Sequence, residues 1–211
     1  MLHTVPALFV YPTRRCNYKC SYCYTNSDPS WSRETFVLRN WQQIVDQTLL
    51  AGISEIRISG GEPLLVDGIR KRCQTIDDSG LSYTITTNGS LLHKHLDWIQ
   101  TMPPSTLWVS YHREYTTPDR FLASVKGVCE TGVVVGINLF DLDLVAFPRL
   151  ITQLVNVGVS RFKLINTTPI GRASSMRLPL LRGSEKLPLA AETNHGNGYA
   201  GVEIRAALPL L

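Results

Sequence analysis

Apolar positions along this 211-residue chain keep two rhythms that take turns. Short β-rich runs recur at ALFVYPT (7–13), EIRISGG (55–61), LSYTITTNG (81–89), TLWVSYH (106–112), VVVGINLF (133–140) and SRFKLINTTP (160–169). Each has the length and bounding residues of a strand. Between them, apolar residues fall at helical intervals. These stretches cover about 33–51, stopped at Gly52, then 66–79, 91–102 ahead of Pro103 and Pro104, 118–132 closed by a glycine, and part of 143–158. Strand–helix alternation with short connections predicts an α/β fold, a parallel sheet with helices packed outside it. An open doubly wound sheet and a partial (β/α)6 TIM-like barrel both fit the pattern. In either, ligands bind at the carboxyl ends of the strands. Beyond Arg172 the alternation fades, apart from one strand expected near 202–206.

Composition narrows the class without naming a function. Hydrophobic content of 44% against 18% charged residues fits a soluble globular protein, not a disordered one. The net charge of +4 is spread over scattered Lys and Arg, so a nucleic-acid partner is not indicated. No apolar stretch reaches the roughly 18–20 residues needed to cross a bilayer. The segment MLHTVPALFVYPTRR lacks the marks of a secretory leader. Five unevenly spaced cysteines fit metal-ligating thiols in a reducing cytosol better than a disulfide framework.

Chemistry-bearing residues gather at the expected strand ends. Cys16, Cys20 and Cys23 follow the first strand in RRCNYKCSYCYTN. Their spacing suits one face of a helix, where they would be small buried residues, and suits equally a loop whose thiols face a metal centre. Thiolates favour iron–sulfur clusters and zinc, and three of them around a cubane leave one iron open for a ligand. Arg14, Arg15 and Lys19 are expected to favour the thiolate form. After the second strand, Gly60 and Gly61 permit close backbone approach, Glu62 offers an acceptor for an ammonium, and Pro63 stiffens the turn. A plain strand-to-helix turn reads the same way. Asn88-Gly89 is a common turn pair. Asn138, in an otherwise apolar strand, needs a polar ligand or backbone partner. His112 is an acid–base candidate or a structural hydrogen-bonder. Arg172 pairs with a cofactor carboxylate, a substrate or a structural carboxylate. Cys73 and Cys129 read as buried helix residues, and His93 and His95 as surface.

Cys16-x-x-x-Cys20-x-x-Cys23, with Asn17 after the first cysteine and Tyr22 before the third, resembles the signature of the radical S-adenosylmethionine (radical SAM) enzymes. The resemblance covers roughly 7–175 and implies the partial (β/α)6 barrel. It implies that Cys16, Cys20 and Cys23 hold a 4Fe–4S cluster, and that S-adenosylmethionine chelates the fourth iron through its methionyl amine and carboxylate. Reductive cleavage would then give methionine and a 5′-deoxyadenosyl radical that takes a hydrogen atom from the substrate. A reductant protein such as flavodoxin or ferredoxin is the implied partner. Tyr22, Gly60, Gly61, Glu62 and Pro63 are placed by it at the cofactor, the GGEP loop on the methionyl amine. The resemblance further implies Thr87 and Asn88 near the cofactor, Ser110 at the ribose, Asn138 near the adenosyl group, and Arg172 at a carboxylate. The acidic residue that commonly follows the fourth-strand serine is replaced here by Tyr111-His112.

Two resemblances point to different substrates. PIGRA (169–173) is similar to peptide-modifying (SPASM/twitch-type) members, which sets the expectation of peptide or protein modification. GISEIRISGGEPLL (52–65) is similar to molybdenum-cofactor-biosynthesis members that rearrange a nucleotide. A non-catalytic metal-binding protein on the same fold is the third reading. Peptide-modifying relatives usually carry further cluster-binding cysteines, and this chain has none after Cys129. The expected division is a core over 1–175 and a tail over 176–211, read as a remnant of a truncated or frame-shifted chain, with turnover impaired in that case.

Overall fold

The computed structural model describes residues 6–32, 36–140, 147–165, 167 and 169–175, and the main chain alone over 203–207. Among the described residues seven strands stand side by side in chain order: β1 (Ala7–Thr13), β2 (Glu55–Gly60), β3 (Ser82–Thr87), β4 (Thr106–Ser110), β5 (Val135–Phe140), β6 (Arg161–Ile165) and β7 (Glu203–Ala207). Every neighbouring pair is parallel. The helices are α1 (Phe36–Arg39), α2 (Trp41–Leu50), α3 (Ile69–Asp78), α4 (Leu92–Thr101), α5 (Pro118–Cys129) and α6 (Phe147–Asn156). A doubly wound sheet reverses its strand order at a switch point. Here the order never reverses, which excludes that alternative and leaves a partial, open TIM-like barrel. β7 extends it where a strand was expected near 202–206. The rest of the tail, and the expected helical residues 33–35 and 143–146, lie outside the described residues. The helix expected over 33–51 is broken at Asn40, a residue of low helix propensity, into α1 and α2.

Alternation along the strands gives the sheet two unlike faces. One carries Val10, Ile56, Ile58, Ile85, Leu107, Val109, Ile137 and Leu139, all in a single core with Val45 of α2, Cys73 of α3, Ile99 of α4 and Val125 of α5. Cys73 is buried there as expected, and burial pushes its thiol up to about 12; Cys129 packs half-buried against the same core. His93 is exposed, but His95 is not the surface residue expected. It is half-buried and accepts a hydrogen bond from Trp98 Nε1 at 3.0 Å.

The opposite, concave face carries Arg57, Thr84, Trp108, Ser110, Asn138 and Lys163, which line a cavity of about 260 Å3. Gly136 makes room for that lining, because a Cβ at this position would stand 2.5 Å from the Trp108 ring. Gly136→Val is therefore expected to displace Trp108 and lower unfolding stability by about 1–3 kcal/mol, read by urea denaturation.

Candidate active site

Residues 14–32 run as turns and bends, so the helical-stripe reading of the three cysteines is set aside. At the loop's root, Gly61 N–H donates to Thr13 O at 2.8 Å and Glu62 N–H to Arg15 O at 2.9 Å. That approach explains the glycine pair. A Cβ on Gly61 would lie 2.2 Å from Arg15 O, and one on Gly60, at φ +118°, would lie 2.6 Å from Thr13 O.

The loop's far side rests on the segment after β6. Arg172 donates from its main-chain N–H to Cys23 O at 3.0 Å, from Nε to Cys20 O at 2.8 Å and from Nη2 to Ser27 O at 2.6 Å. Ala173 is fully buried against Cys20 and Tyr22. Gly171, at φ +64°, fits where a Cβ would meet Cys23 O at 2.5 Å. Arg172 thus holds carbonyls of the loop, in place of the carboxylate partners expected of it.

A third support is the strap that follows β4. Tyr115 OH accepts from Lys19 N–H at 2.6 Å, and its ring stacks on Tyr18 at 4.0 Å. Glu114 accepts from Ser21 N–H at 3.0 Å and from the Ser21 hydroxyl. His112 Nδ1 stands 2.9 Å from Tyr22 OH and 3.5 Å from Cys20 Sγ. Sequence reasoning missed Glu114 and Tyr115. Their one signal was the run of polar and aromatic residues, HREYT, directly after a strand end.

Glu62 corrects another expectation. Its side chain is fully buried at 0% exposure, where Oε1 accepts from Leu64 N–H at 3.0 Å and Thr87 Oγ1 at 2.7 Å, and Oε2 from Asn88 N–H at 2.7 Å. All three donors belong to the chain, so the carboxylate joins β2 to β3 and does not present itself to a ligand amine. Pro63 is likewise buried, opening the short 3-10 turn Pro63–Leu65 and absent from the cavity lining. Burial pushes the Glu62 carboxyl up to about 7 against the pull of its three donors.

Most of the other expected residues share the cavity. Cys16, Cys20, Cys23, Tyr22, Gly60, Gly61, Thr87, Asn88, Ser110, His112, Asn138 and Arg172 all line it. Asn88 Nδ2 donates to Asn17 Oδ1 at 2.9 Å and approaches Cys16 Sγ at 3.8 Å. Asn138, only 4% exposed, donates Nδ2 to Ser110 Oγ at 3.1 Å, while its Oδ1 is buried with no hydrogen-bond partner among the described residues. A buried orphan acceptor in a polar cavity wall is costly unless a ligand supplies a donor.

The Cys16 and Cys20 thiols are not activated by basic neighbours as expected. Arg14 is spent on Thr25 O at 2.7 Å and on the Trp31 ring at 4.2 Å, and Lys19 is exposed. Burial raises the Cys16 thiol and pushes that of Cys20 up to about 12. Each sulfur has a polar neighbour: Tyr18 N–H on Cys16 at 3.4 Å, His112 Nδ1 near Cys20, and Thr25 Oγ1 at 3.2 Å from Cys23. Burial also pulls the His112 imidazole down to about 4, so it is neutral near pH 7. No group of three or more His, Cys, Asp or Glu among the described residues is arranged to hold a metal ion. A cubane asks for something else. Each thiolate binds a different iron, so the sulfurs need to face one volume without closing on a point. Three soft donors lining one shared cavity fit that group.

Fold and site together define an open β/α barrel with a three-thiol loop facing a polar cavity. The family model described as Radical SAM superfamily matches residues 10–128, and the chain belongs to this family, whose cofactors are a 4Fe–4S cluster and S-adenosylmethionine. GTP 3',8-cyclase 1 of Mycobacterium tuberculosis (strain CDC 1551 / Oshkosh) is 31% identical over 169 residues, covering 67% of this chain and 47% of that protein. A probable GTP 3',8-cyclase of Methanococcus maripaludis (strain C6 / ATCC BAA-1332) is 30% identical over 151 residues, covering 67% and 50%. The chain thus spans about half the length of these relatives. Streptococcus suis SuiB bound to S-adenosylmethionine shares the fold with a TM-score of 0.67 at 22% identity, over 77% of this chain and 41% of that one. No helix among the described residues is long and apolar enough to cross a membrane.

Glu62 makes stability depend on pH with a defined sign. Its folded pKa, about 7, lies above the unfolded value of 4.5. The folded state therefore binds the extra proton, and the associated stability is complete below about 4.5 and lost as pH rises through about 7. Relative to Glu62→Gln, the wild type is expected to lose at most roughly 3 kcal/mol between pH 5 and 8 in denaturant titrations. Arg172→Leu removes two of the three contacts to loop carbonyls, leaving the main-chain one, and is expected to reduce iron uptake severalfold. Its Tm should fall less than that of Gly136→Val, because the loop lies outside the main core.

Proposed function

We propose that this chain is the core of a radical SAM enzyme that cleaves S-adenosylmethionine reductively and acts on a nucleotide-derived small molecule. The observation that carries the reading is the shared cavity, which Cys16, Cys20 and Cys23 line together with Gly60, Gly61, Ser110 and Asn138. When bound, the cluster supplies the electron that splits the sulfonium and so yields the 5′-deoxyadenosyl radical, with a protein such as flavodoxin or ferredoxin as the source. The chain's own part is binding and placement. Open glycine backbone at the end of β2 suits the methionyl end, and the orphan Asn138 Oδ1 suits an N–H donor such as an adenine amine. Glu62 and Arg172 keep the loop and the strand ends in register.

The peptide preference rested on PIGRA, and its support weakens here. Gly171, Arg172 and Ala173 are accounted for by their packing against the cysteine loop, whatever the substrate. Two observations favour a nucleotide-derived substrate. One is the 31% identity to a GTP 3',8-cyclase. The other is the cavity lining, where Lys163 Nζ lies 3.5 Å from the Trp108 ring centroid and Arg57, paired with Glu55 at 2.7 Å, lies 5.3 Å from that of Phe9. Cations beside aromatic faces suit an anionic ligand with a flat ring.

Anaerobic reconstitution is expected to give about four irons per chain, and dithionite with S-adenosylmethionine should then release 5′-deoxyadenosine. Cys20→Ala should abolish both; retention of both refutes the ligand assignment. Guanosine or adenosine nucleotides deuterated on the ribose are expected to pass deuterium into 5′-deoxyadenosine. Transfer from a deuterated peptide, with none from any nucleotide, would overturn the substrate class and leave the enzyme class standing.

A further inference from the structure

The strap after β4 grips four successive residues of the cysteine loop, Lys19 to Tyr22, and at the centre of that grip an imidazole faces a sulfur. We propose that His112 donates an N–H hydrogen bond from Nδ1 to the Cys20 sulfur when that sulfur is a cluster-bound thiolate, and thereby raises the reduction potential of the cluster. The inference rests on the cluster assignment above and goes beyond it by giving His112 a positioning and tuning role.

Two neighbours compete for Nδ1: Tyr22 OH at 2.9 Å and Cys20 Sγ at 3.5 Å. While Cys20 carries its proton, both S–H and O–H can point at a bare Nδ1. A thiolate has no proton to give. A neutral imidazole carries one N–H, and the tautomer with that proton on Nδ1 is the one that provides a donor to the sulfur. Turning the ring away is opposed by its packing, because Phe140 lies against it at 5.4 Å and 25°, Tyr22 at 5.9 Å and 23°, and Tyr18 meets it edge-on at 5.8 Å. Glu114, which accepts from the Ser21 N–H next to Cys20, holds the loop there and so sets the sulfur-to-ring distance. A hydrogen bond to a ligating sulfur strengthens as negative charge accumulates on it. It therefore stabilises the reduced cluster more than the oxidised one and moves the potential upward.

The test compares the potentials of reconstituted wild type, His112→Leu, His112→Asn and Tyr115→Phe by EPR-monitored redox titration, which reads only cluster-bearing protein. His112→Leu is expected to shift the reduction equilibrium about tenfold towards the oxidised form, ~59 mV more negative for a one-electron couple. His112→Asn places an amide N–H near the Nδ1 position and should recover at least half of that shift. Tyr115→Phe removes a strap contact without touching the sulfur and should leave the potential unchanged. An unshifted His112→Leu, equal shifts in Leu and Asn, or an equal shift in Tyr115→Phe would overturn the proposal. A readout independent of the Leu variant is electron–nuclear double resonance on reduced wild type. The expected signal is a 15N coupling that appears only with labelled histidine and is lost in His112→Asn; its absence in wild type would overturn the hydrogen bond. Lack of any cluster in wild type would instead remove the assignment on which the inference rests.

Discussion

Three chain segments meet at the Glu62 carboxylate, and the geometry of the cavity follows from how that group is satisfied. Its side chain accepts from Thr87 and from the Asn88 amide at the end of β3, while its own amide donates to Arg15 O at the root of the cysteine loop. Asn88, fixed in this way, reaches on to Asn17 and towards Cys16 Sγ. One buried acid therefore couples the end of β2, the end of β3 and the first cysteine. Leaving a buried acceptor of this kind with too few donors costs about 1–3 kcal/mol each, so the three segments are constrained to move together. The glycine pair beside it serves the same junction. Both positions are closed to a side chain by the carbonyls of Thr13 and Arg15 before any ligand is considered.

That junction marks the boundary of what was legible in the sequence. The strands and their order of chemistry could be read because parallel β/α crossovers bring every strand's carboxyl end to one rim. The residues that gather there, Cys16, Gly60, Asn88, Ser110 and Asn138, were accordingly found from position together with the family resemblance. Side-chain roles were less accessible. A glutamate at a strand end looks the same in a sequence whether it faces a ligand amine or three internal donors, because residue type does not reveal burial. Arg172 was open to misreading for the same reason: its partners are main-chain carbonyls, which leave no trace in the pattern of acidic residues. His95 read as surface because helix periodicity assigned it a polar face, whereas a hydrogen bond from Trp98 draws it partly inward.

The thiols show a comparable separation between charge counted along the chain and charge felt in space. Arg14, Arg15 and Lys19 flank the cysteines, yet desolvation is the largest influence on Cys16 and Cys20 and raises both. The loop by itself therefore favours neutral thiols at Cys16 and Cys20. A metal's own charge is what converts such groups to thiolates, and ligation releases their protons. Burial of the sulfurs and readiness to bind a cluster are compatible on that account, because the site is shaped by packing and the ionisation is supplied by the metal.

Packing also decides how much the segment after β6 says about substrate. Gly171, Arg172 and Ala173 each have a steric or hydrogen-bonding reason to be what they are, and every reason concerns the cysteine loop. A motif so fully accounted for by the support of a loop shared across substrates carries little information about any one of them. Information about substrate has to come from residues whose chemistry the scaffold does not demand. On the concave face those are the cations and aromatic rings at the cavity floor, since an apolar lining would satisfy the barrel's packing equally well. Lys163 beside Trp108 is in this sense the more informative position, because Arg57 beside Phe9 is also paired with Glu55 at 2.7 Å.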